Sequence, residues 1–565
     1  MSEQDIKSKT IELIDSLKAT CQKAGMGNDG NEYKIITQVF LYKFMADKFG
    51  YELKKVDLPC VKSIREAGNK WEEAYGKLSD GDREMINAFL PPEVPRFKSH
   101  QLISNLWNQQ SKGDFAAIFD QTMIDIANDN ISIYYTKTAQ NTKIPIFEKL
   151  TTFVTDEAER DNFARALVDK LAKFTFEDEL EKFSFEDAME EKYDFFSDIF
   201  EYLIKDYNTA GGGKYAEYYT PKAIAKIMAR LLVGDDADLR NKECYDPSAG
   251  TGTLLMALAH QIGEEKCTIF AQDISQRSNK MLKLNLLLNG LVSSLDHAIQ
   301  GDTLLAPYHK SDDNQTLRQF DFVVSNPPFK MDFSDTRDQI ESKWGKSRFW
   351  AGVPSIPTKK KESMAIYTCF IQHVVNSIAK DGKGAIVVPT GFITAKSGVE
   401  NKIIHKLVDE HIVWGVVSMP SNVFANTGTN VSVLFFDKTE GKTDDDTVIL
   451  MDASKLGVEY KDANGLKKVK LVPEEIDKIV VSFREKKAVE DFSVCVSYKD
   501  IKEKGYSLSA GQYFDIKIEY VDITEEEFNK RVADYEAKLS AQFEESHKLE
   551  EEIIKQLRLL RYGKV

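Results

Sequence analysis

Five residues, Ser325-Asn326-Pro327-Pro328-Phe329, close the apolar run Phe320-Asp321-Phe322-Val323-Val324, and no other stretch constrains the chain as much. A short run of β-branched and aromatic side chains that stops at two prolines reads as a buried strand ending where no ladder donor remains. In an open α/β sheet, ligands bind at the carboxyl ends of strands. There the chain presents the Asn326 amide, the Pro327 carbonyl, the stiff turn at Pro328 and the aromatic face of Phe329. Such a set suits a planar ring with an exocyclic amino group: Asn326 Oδ1 and the Pro327 carbonyl each accept one amino hydrogen while Phe329 stacks on the ring. Two acceptors off the ring plane draw the nitrogen toward tetrahedral geometry and localise its lone pair, which is preorganised electrostatic catalysis. A strand capped by a Pro-Pro turn, with no ligand, is the simpler reading of the same letters, and the neighbouring segments decide between them.

Upstream, Glu243-Cys244-Tyr245-Asp246 reads as a strand, Pro247-Ser248-Ala249-Gly250-Thr251-Gly252-Thr253 as a turn and Leu254 to Gln261 as a helix. Strand, glycine turn and helix make a cofactor cradle at a sheet edge, because Gly250 and Gly252 let the backbone approach a ligand closely. The third glycine of the dinucleotide pattern is missing. Asp246 stands just before the turn, where an acid repels a pyrophosphate and attracts an ammonium or sulfonium group. A second strand, Thr268 to Gln272, ends at Asp273, roughly twenty residues past the glycines, where an acid meets ribose hydroxyls in such folds. A helix N-cap is the competing role for Asp273. A further strand closes on Gly301-Asp302-Thr303, so four strands in succession end on polar residues.

From Lys330 to Lys361 the chain reads as a loop, with Lys343, Lys346, Arg348, Lys359, Lys360 and Lys361 interleaved with Trp344, Phe349 and Trp350. That mixture suits a nucleic-acid backbone and an exposed base, or else a solvated surface loop. A helix from Ser363 to Ala379, the strand Ala385 to Pro389, another helix and the strand Val413 to Val417 follow. Val431 to Phe436 closes the sheet as an antiparallel partner. The expected fold class is therefore α/β, with a Rossmann-like sheet.

Residues 1 to about 200 read as helices joined by short loops, from the apolar spacing in Tyr33 to Tyr51 and from amphipathic stretches at Pro145 to Thr152, Asp161 to Phe174 and Asp187 to Ile204. A glycine-rich hinge, Tyr207 to Lys214, leads to Tyr219-Thr220-Pro221, with Thr220 as N-cap and Pro221 as first residue of a helix to about Leu232. Thr524-Glu525-Glu526-Glu527 is a capping box that opens a long amphipathic helix, whose apolar stripe needs a partner helix. The expected division is 1–200 helical, 201–440 catalytic, 441–522 mixed and 523–565 a helix for partner binding. A net charge of −15 over 565 residues argues against a chain that grips nucleic acid alone over a broad face. A local basic patch or a partner must supply the phosphate contacts. The six cysteines form no CxxC pair and no HExxH is present, so no metal site is expected. No run of about 18 apolar residues and no apolar signal core occur, so the expectation is a cytoplasmic protein without a membrane span.

With these segments in view, the chain resembles the N6-adenine DNA methyltransferases, most closely the modification (M) subunits of type I restriction-modification systems. The resemblance is carried by AEYYTP (216–221), DPSAGTGTLL (246–255), AQDIS (271–275), GDTLL (301–305), NPPF (326–329), GTNVSVLFF (428–436) and GYSLSAGQYF (505–514). It implies S-adenosyl-L-methionine as methyl donor, enclosed by Tyr219, Thr220 and Pro221. Asp246, Gly250 and Gly252 hold its methionine part, with Thr253 and Asn326 beside them; Asp273 takes the ribose and Asp302 the adenine amino group. Asn326, Pro327, Pro328 and Phe329 receive a target adenine flipped from double-stranded DNA. The resemblance further implies a separate specificity (S) subunit that reads sequence, a second M subunit in an M2S1 complex, and a restriction (R) subunit that can join. Rival readings are N5-glutamine methylation of protein, N4-cytosine transfer and a catalytically idle scaffold.

Overall fold

Strands buried on both faces need no polar alternation, and the apolar runs Phe322-Val323-Val324, Ile386-Val387-Val388 and Val433-Leu434-Phe435 are all buried in the sheet. A computed structural model of the chain describes residues 3–27, 30–131, 135–176, 198–199, 202, 220–234, 239–424, 430–461, 467–514 and 523–559. The chain forms two compact units, Met1–Tyr513 and Phe514–Val565.

In the first unit the strands are β1 (Tyr135–Thr138), β2 (Lys143–Pro145), β3 (Lys242–Asp246), β4 (Cys267–Asp273), β5 (Ala298–Gln300), β6 (Phe320–Ser325), β7 (Ile378–Pro389), β8 (Val413–Ser418), β9 (Val431–Asp437), β10 (Thr447–Asp452), β11 (Val458–Lys461), β12 (Lys467–Lys470) and β13 (Ser493–Ser497). Eleven of them share one sheet in the order β13-β10-β8-β9-β7-β6-β3-β4-β5-β1-β2, and β11 pairs with β12 in a separate hairpin. β9 lies antiparallel between β7 and β8, as β13 does beside β10 and β2 beside β1. The remaining pairs are parallel, so β1, β3 to β8 and β10 all point one way and present their carboxyl ends on one edge. From β3 the chain winds outward to β4 and β5, then crosses to β6 and winds the other way. The crevice of an open α/β sheet forms at such a reversal, here between the ends of β3 and β6.

The α/β class and the antiparallel β9 agree with the sequence expectation, but β9 is inserted within the sheet instead of ending it. The helix expected over Tyr33 to Tyr51 lies within Gly30–Lys55, and that over Asp161 to Phe174 matches Arg160–Ala172. Phe49 packs its ring against Trp71, Tyr75 and Phe97. A Cβ at Gly50 would lie 2.4 Å from the Trp71 ring, so this helix meets that ring only through a glycine. The stretch Pro145 to Thr152 is not a helix: β2 ends at Pro145, and Asp120 instead fixes the following turn by accepting from Thr151 N and Thr151 Oγ1. The β1–β2 hairpin thus carries part of the N-terminal region into the sheet beside β5. Most of the expected stretch Asp187 to Ile204 lies outside the described residues, as does the hinge Tyr207 to Lys214.

The second unit is a helix, Glu525–Leu559, with Thr524 Oγ1 accepting from Glu527 N. Phe528, Val532, Tyr535, Leu539, Leu549 and Ile553 form an exposed stripe along it. No helix among the described residues is long and apolar enough to cross a membrane.

Candidate active site

Ser325 ends β6 with its side chain buried, and its hydroxyl lies 2.6 Å from that of Ser248 in the turn after β3. This bond joins the two sequence motifs at the edge of the sheet. Asn326 follows, nearly buried, and its Nδ2 donates to Thr220 Oγ1 at 3.0 Å. The amide nitrogen is thereby occupied, and Asn326 Oδ1 remains to accept a hydrogen from a ligand. Pro327 is buried, while Pro328 and Phe329 are half-buried. The Phe329 ring meets Tyr367 edge-on at 6.3 Å, and Tyr367 meets Phe392 edge-on at 6.0 Å. Edge-to-face pairs of this kind hold a ring's orientation, which leaves the Phe329 face as a fixed platform.

Thr220 is not the helix cap expected from sequence. The helix Lys222–Val233 begins after Pro221, which occupies the cap position with extended ψ and no side-chain cap bond. The Thr220 hydroxyl serves Asn326 across 106 positions of sequence. Tyr219 lies outside the described residues.

Across the crevice, Gly250 and Gly252 adopt left-handed φ of 52° and 87°. A Cβ at Gly252 would stand 2.4 Å from Leu282 Cδ1, so the turn closes onto the helix Gln276–Leu288 only because residue 252 has none. Gly252 caps the helix Thr253–Ile262, and Thr253 Oγ1 lies 3.4 Å from Thr251 Oγ1. Asp273, at the end of β4, accepts from Gly250 N and Ser275 N, both at 2.8 Å. Ser275, not Asp273, caps the following helix, which removes the competing role for this acid. Asp302 accepts from Leu304 N and Leu305 N and stiffens the loop after β5. Thr303 Oγ1 in that loop donates to Pro247 O at 2.7 Å, tying it to the turn after β3.

Burial, and then the charge of Asp273, push the Asp246 carboxyl up to about 8, although Ser248 N donates to it. Burial raises Asp273 as well. Two desolvated acids at one crevice disfavour a phosphate and favour a ligand that carries a cation and hydroxyl donors. The donor set therefore fits an amino-acid sulfonium joined to a ribose, and does not fit a nucleoside triphosphate.

Sequence reasoning missed a buried cluster behind the crevice. Arg348 is at the end of a helix, Ser334–Arg348, within the stretch expected to be a loop. It is buried, as is Phe349, so neither is part of a basic surface. Its guanidinium donates to Leu304 O at 2.7 Å, to Thr303 O at 2.8 Å and to His373 Nδ1. With Nδ1 accepting, the neutral His373 ring carries its proton on Nε2, which faces the Tyr245 hydroxyl at 3.1 Å. Burial and the adjacent Arg348 lower the His373 pKa well below the usual range, consistent with a neutral ring. One arginine thus connects the segment after β6, the Asp302 loop and the strand that ends in Asp246.

A family model described as N-6 DNA Methylase matches residues 191–522. The MpnII methylase subunit of a type I restriction enzyme from Mycoplasma pneumoniae is 29% identical over 334 residues, which cover 58% of each chain. The MjaIX methylase subunit from Methanocaldococcus jannaschii is 26% identical over 380 residues, 64% of this chain and 62% of that one. The chain thus matches about three fifths of the length of these curated relatives. The crystal structure of a type I restriction-modification system methyltransferase subunit from Streptococcus thermophilus has the same fold, with a TM-score of 0.70 at 20% identity, covering 91% of this chain and 100% of that one. Every residue placed above at the crevice falls within the segment that the family model matches, and the chain belongs to the N-6 DNA methylase family.

Proposed function

We propose that this chain is the methylating subunit of a type I restriction-modification assembly and transfers a methyl group from S-adenosyl-L-methionine to N6 of an adenine flipped out of double-stranded DNA. When bound, S-adenosyl-L-methionine supplies a methyl group activated on a positively charged sulfur. Asp246 and the turn through Gly250, Gly252 and Thr253 hold the amino-acid end, Asp273 the ribose, and the Asp302 loop the purine. Asn326 Oδ1 and the Pro327 carbonyl accept the two hydrogens of the target amino group, and Phe329 stacks on its ring. Extrahelical binding lets these groups reach a base that a duplex would otherwise hide. As the N–C bond forms and the pair of the breaking C–S bond returns to sulfur, the nitrogen becomes tetrahedral and gains positive charge. Both acceptors hold its hydrogens more strongly than in the ground state, and one of those protons then passes to solvent to leave the neutral methylated amine. A specificity subunit that chooses the site, a second copy of the methylating subunit and an optional restriction subunit complete the proposal.

The supporting observation is the Ser248–Ser325 hydrogen bond, 2.6 Å long, which brings an acid-lined cradle and an amino-group acceptor to one lip of the sheet. Base-resolved methylation by the assembled complex, with the Asn326→Ala variant beside the parent, is the test. The variant is expected to keep donor affinity and to lose turnover by about 10²–10³-fold, the usual effect of removing one preorganised hydrogen-bond partner of a transition state. Undiminished adenine methylation by the variant would contradict the role of Asn326, and methyl transfer to a protein glutamine alone would contradict the substrate.

A further inference from the structure

Between Lys455 and Lys470 the sequence places five lysines against two acids, in a chain whose net charge is −15. We infer that the β11–β12 hairpin in this stretch binds the phosphate backbone of duplex DNA, an assignment that rests on the proposed transfer to DNA.

The register sorts the side chains. Val458 faces Lys470 and Tyr460 faces Lys468, while Glu459 faces Val469 and Lys461 faces Lys467. Directly opposed residues share a face of a two-stranded ribbon, so one face carries Lys468 and Lys470 on one strand with Tyr460 and Val458 directly across from them on the other. Val458 and Tyr460 are about half exposed, at 57% and 49%. Lys461 and Lys467 lie on the other face, where Glu459 engages Lys467 at 3.6 Å. A row of lysines beside a row of one aromatic and one aliphatic side chain suits a sugar-phosphate backbone, whose sugars are apolar and whose phosphates are charged.

The hairpin is anchored. Glu475, in the helix Pro473–Arg484, accepts from Gly457 N at 2.8 Å and from Val472 N at 3.0 Å, one on each side of the ribbon. Val469 N donates to Asn422 O, in the segment after β8. A Cβ at Gly457 would lie 2.3 Å from Val469 Cγ1, so the entry to the ribbon is tight.

Its place also fits. β10 runs parallel to β8 and in the same sense as β6, so the chain leaves β10 on the edge that carries Asn326. Four strand spacings separate β10 from β6, about 19 Å along that edge at ~4.8 Å each. This corresponds to about five or six base-pair rises of 3.4 Å. A duplex laid along the edge with one base at Asn326 brings its backbone past the hairpin. The segment 330–361 is weaker as a contact because Arg348 is committed to the interior.

The test measures binding of a fluorescent duplex to the full-length chain in its assembly, as a function of salt, for the parent, the Lys468→Ala/Lys470→Ala variant and the corresponding Lys→Arg variant. The alanine variant is expected to bind at least tenfold more weakly, and its plot of log affinity against log salt to flatten by about 0.9 for each phosphate contact removed. The arginine variant should keep both the slope and the affinity. Calorimetric affinity for S-adenosyl-L-methionine reports that the fold is intact, and Lys470→Glu alone, with an expected severalfold loss, serves if the double variant fails to fold. An unchanged slope and an affinity within twofold of the parent would overturn the inference, as would loss only of assembly with a protein partner. A parent that binds the duplex with the lysine-dependent slope but methylates no DNA would refute the proposed function while leaving the hairpin assignment standing.

Discussion

Replacing Thr220 by valine removes a hydroxyl and preserves its shape, which isolates the bond that Asn326 Nδ2 makes to it. Both side chains are buried, at 5% and 9% exposure, so water does not readily replace the lost acceptor. When Oδ1 of the amide faces the target amino group, Nδ2 faces residue 220; with valine there it is a buried donor without its partner. Such a group costs about 1–3 kcal/mol. Some of the cost is escaped by turning the amide over, but then Oδ1 no longer meets the amino hydrogens and the productive arrangement is lost. Restoring the productive arrangement from the turned-over one then adds up to that cost, about 1–3 kcal/mol, to the barrier, a fall in kcat of about 5- to 150-fold. Single-turnover methylation with labelled donor reads this directly, and Thr220→Ser, which keeps the oxygen, should lie within about threefold of the parent. In an Asn326→Ala background, Thr220→Val should have almost no further effect, because there is no amide to orient. Donor affinity separates this role from the one implied by family resemblance, in which Thr220 encloses the cofactor. A weaker donor affinity with unchanged kcat would refute the orienting role, as would a kcat within twofold of the parent.

Two further perturbations probe the other half of the crevice. Because Asp246 is raised to about 8 in the folded chain, above roughly 3.9 in the unfolded one, its contribution is full at low pH and is lost as pH rises toward 8. The unliganded protein should therefore lose melting temperature between pH 5 and pH 8, Asp246→Asn should flatten that decline while abolishing donor binding, and a cationic donor should release up to one proton near pH 7. Equal calorimetric heats of donor binding in buffers of different ionisation enthalpy would count against it. Arg348→Met strips the guanidinium from the Thr303 and Leu304 carbonyls, at about 1–3 kcal/mol for each acceptor left unpaired. Donor affinity is expected to fall at least fivefold, with the salt slope for DNA unchanged, and a changed slope would return Arg348 to the surface role.

The parts of the fold that could be read from sequence were those in which one residue's environment is local. Strands buried in a sheet carry apolar runs, so β4, β6, β7, β8 and β9 could be read as strands, while the polar β3, KECYD, and the short β5 were legible from the glycine turn and the Gly-Asp turn that follow them. β1 and β2 were hidden because YTKT and KIP are short and polar, and an edge hairpin has no apolar run to show. Arg348 was misplaced for a related reason: its partners are main-chain carbonyls of another loop and a histidine on another helix, none of which mark the local pattern. The Thr220–Asn326 bond was invisible because a threonine before a proline has a good local use as a cap, and only tertiary packing shows that use to be empty. The lysine ribbon was passed over because its strands are too short and polar to stand out.

The sheet's outer strands carry a practical consequence for anyone who wishes to study a minimal catalytic fragment. Cutting near residues 200 and 440 would keep β3 to β9 but strip β1 from β5 and β10 from β8. Two rows of unmet main-chain donors and acceptors would then face solvent, one of them along Gly415 to Ser418, and exposed edges of that kind recruit other chains. The fragment would be expected to clump for reasons unrelated to chemistry at the crevice, and shortening the protein from either end is better begun outside residues 135 and 497.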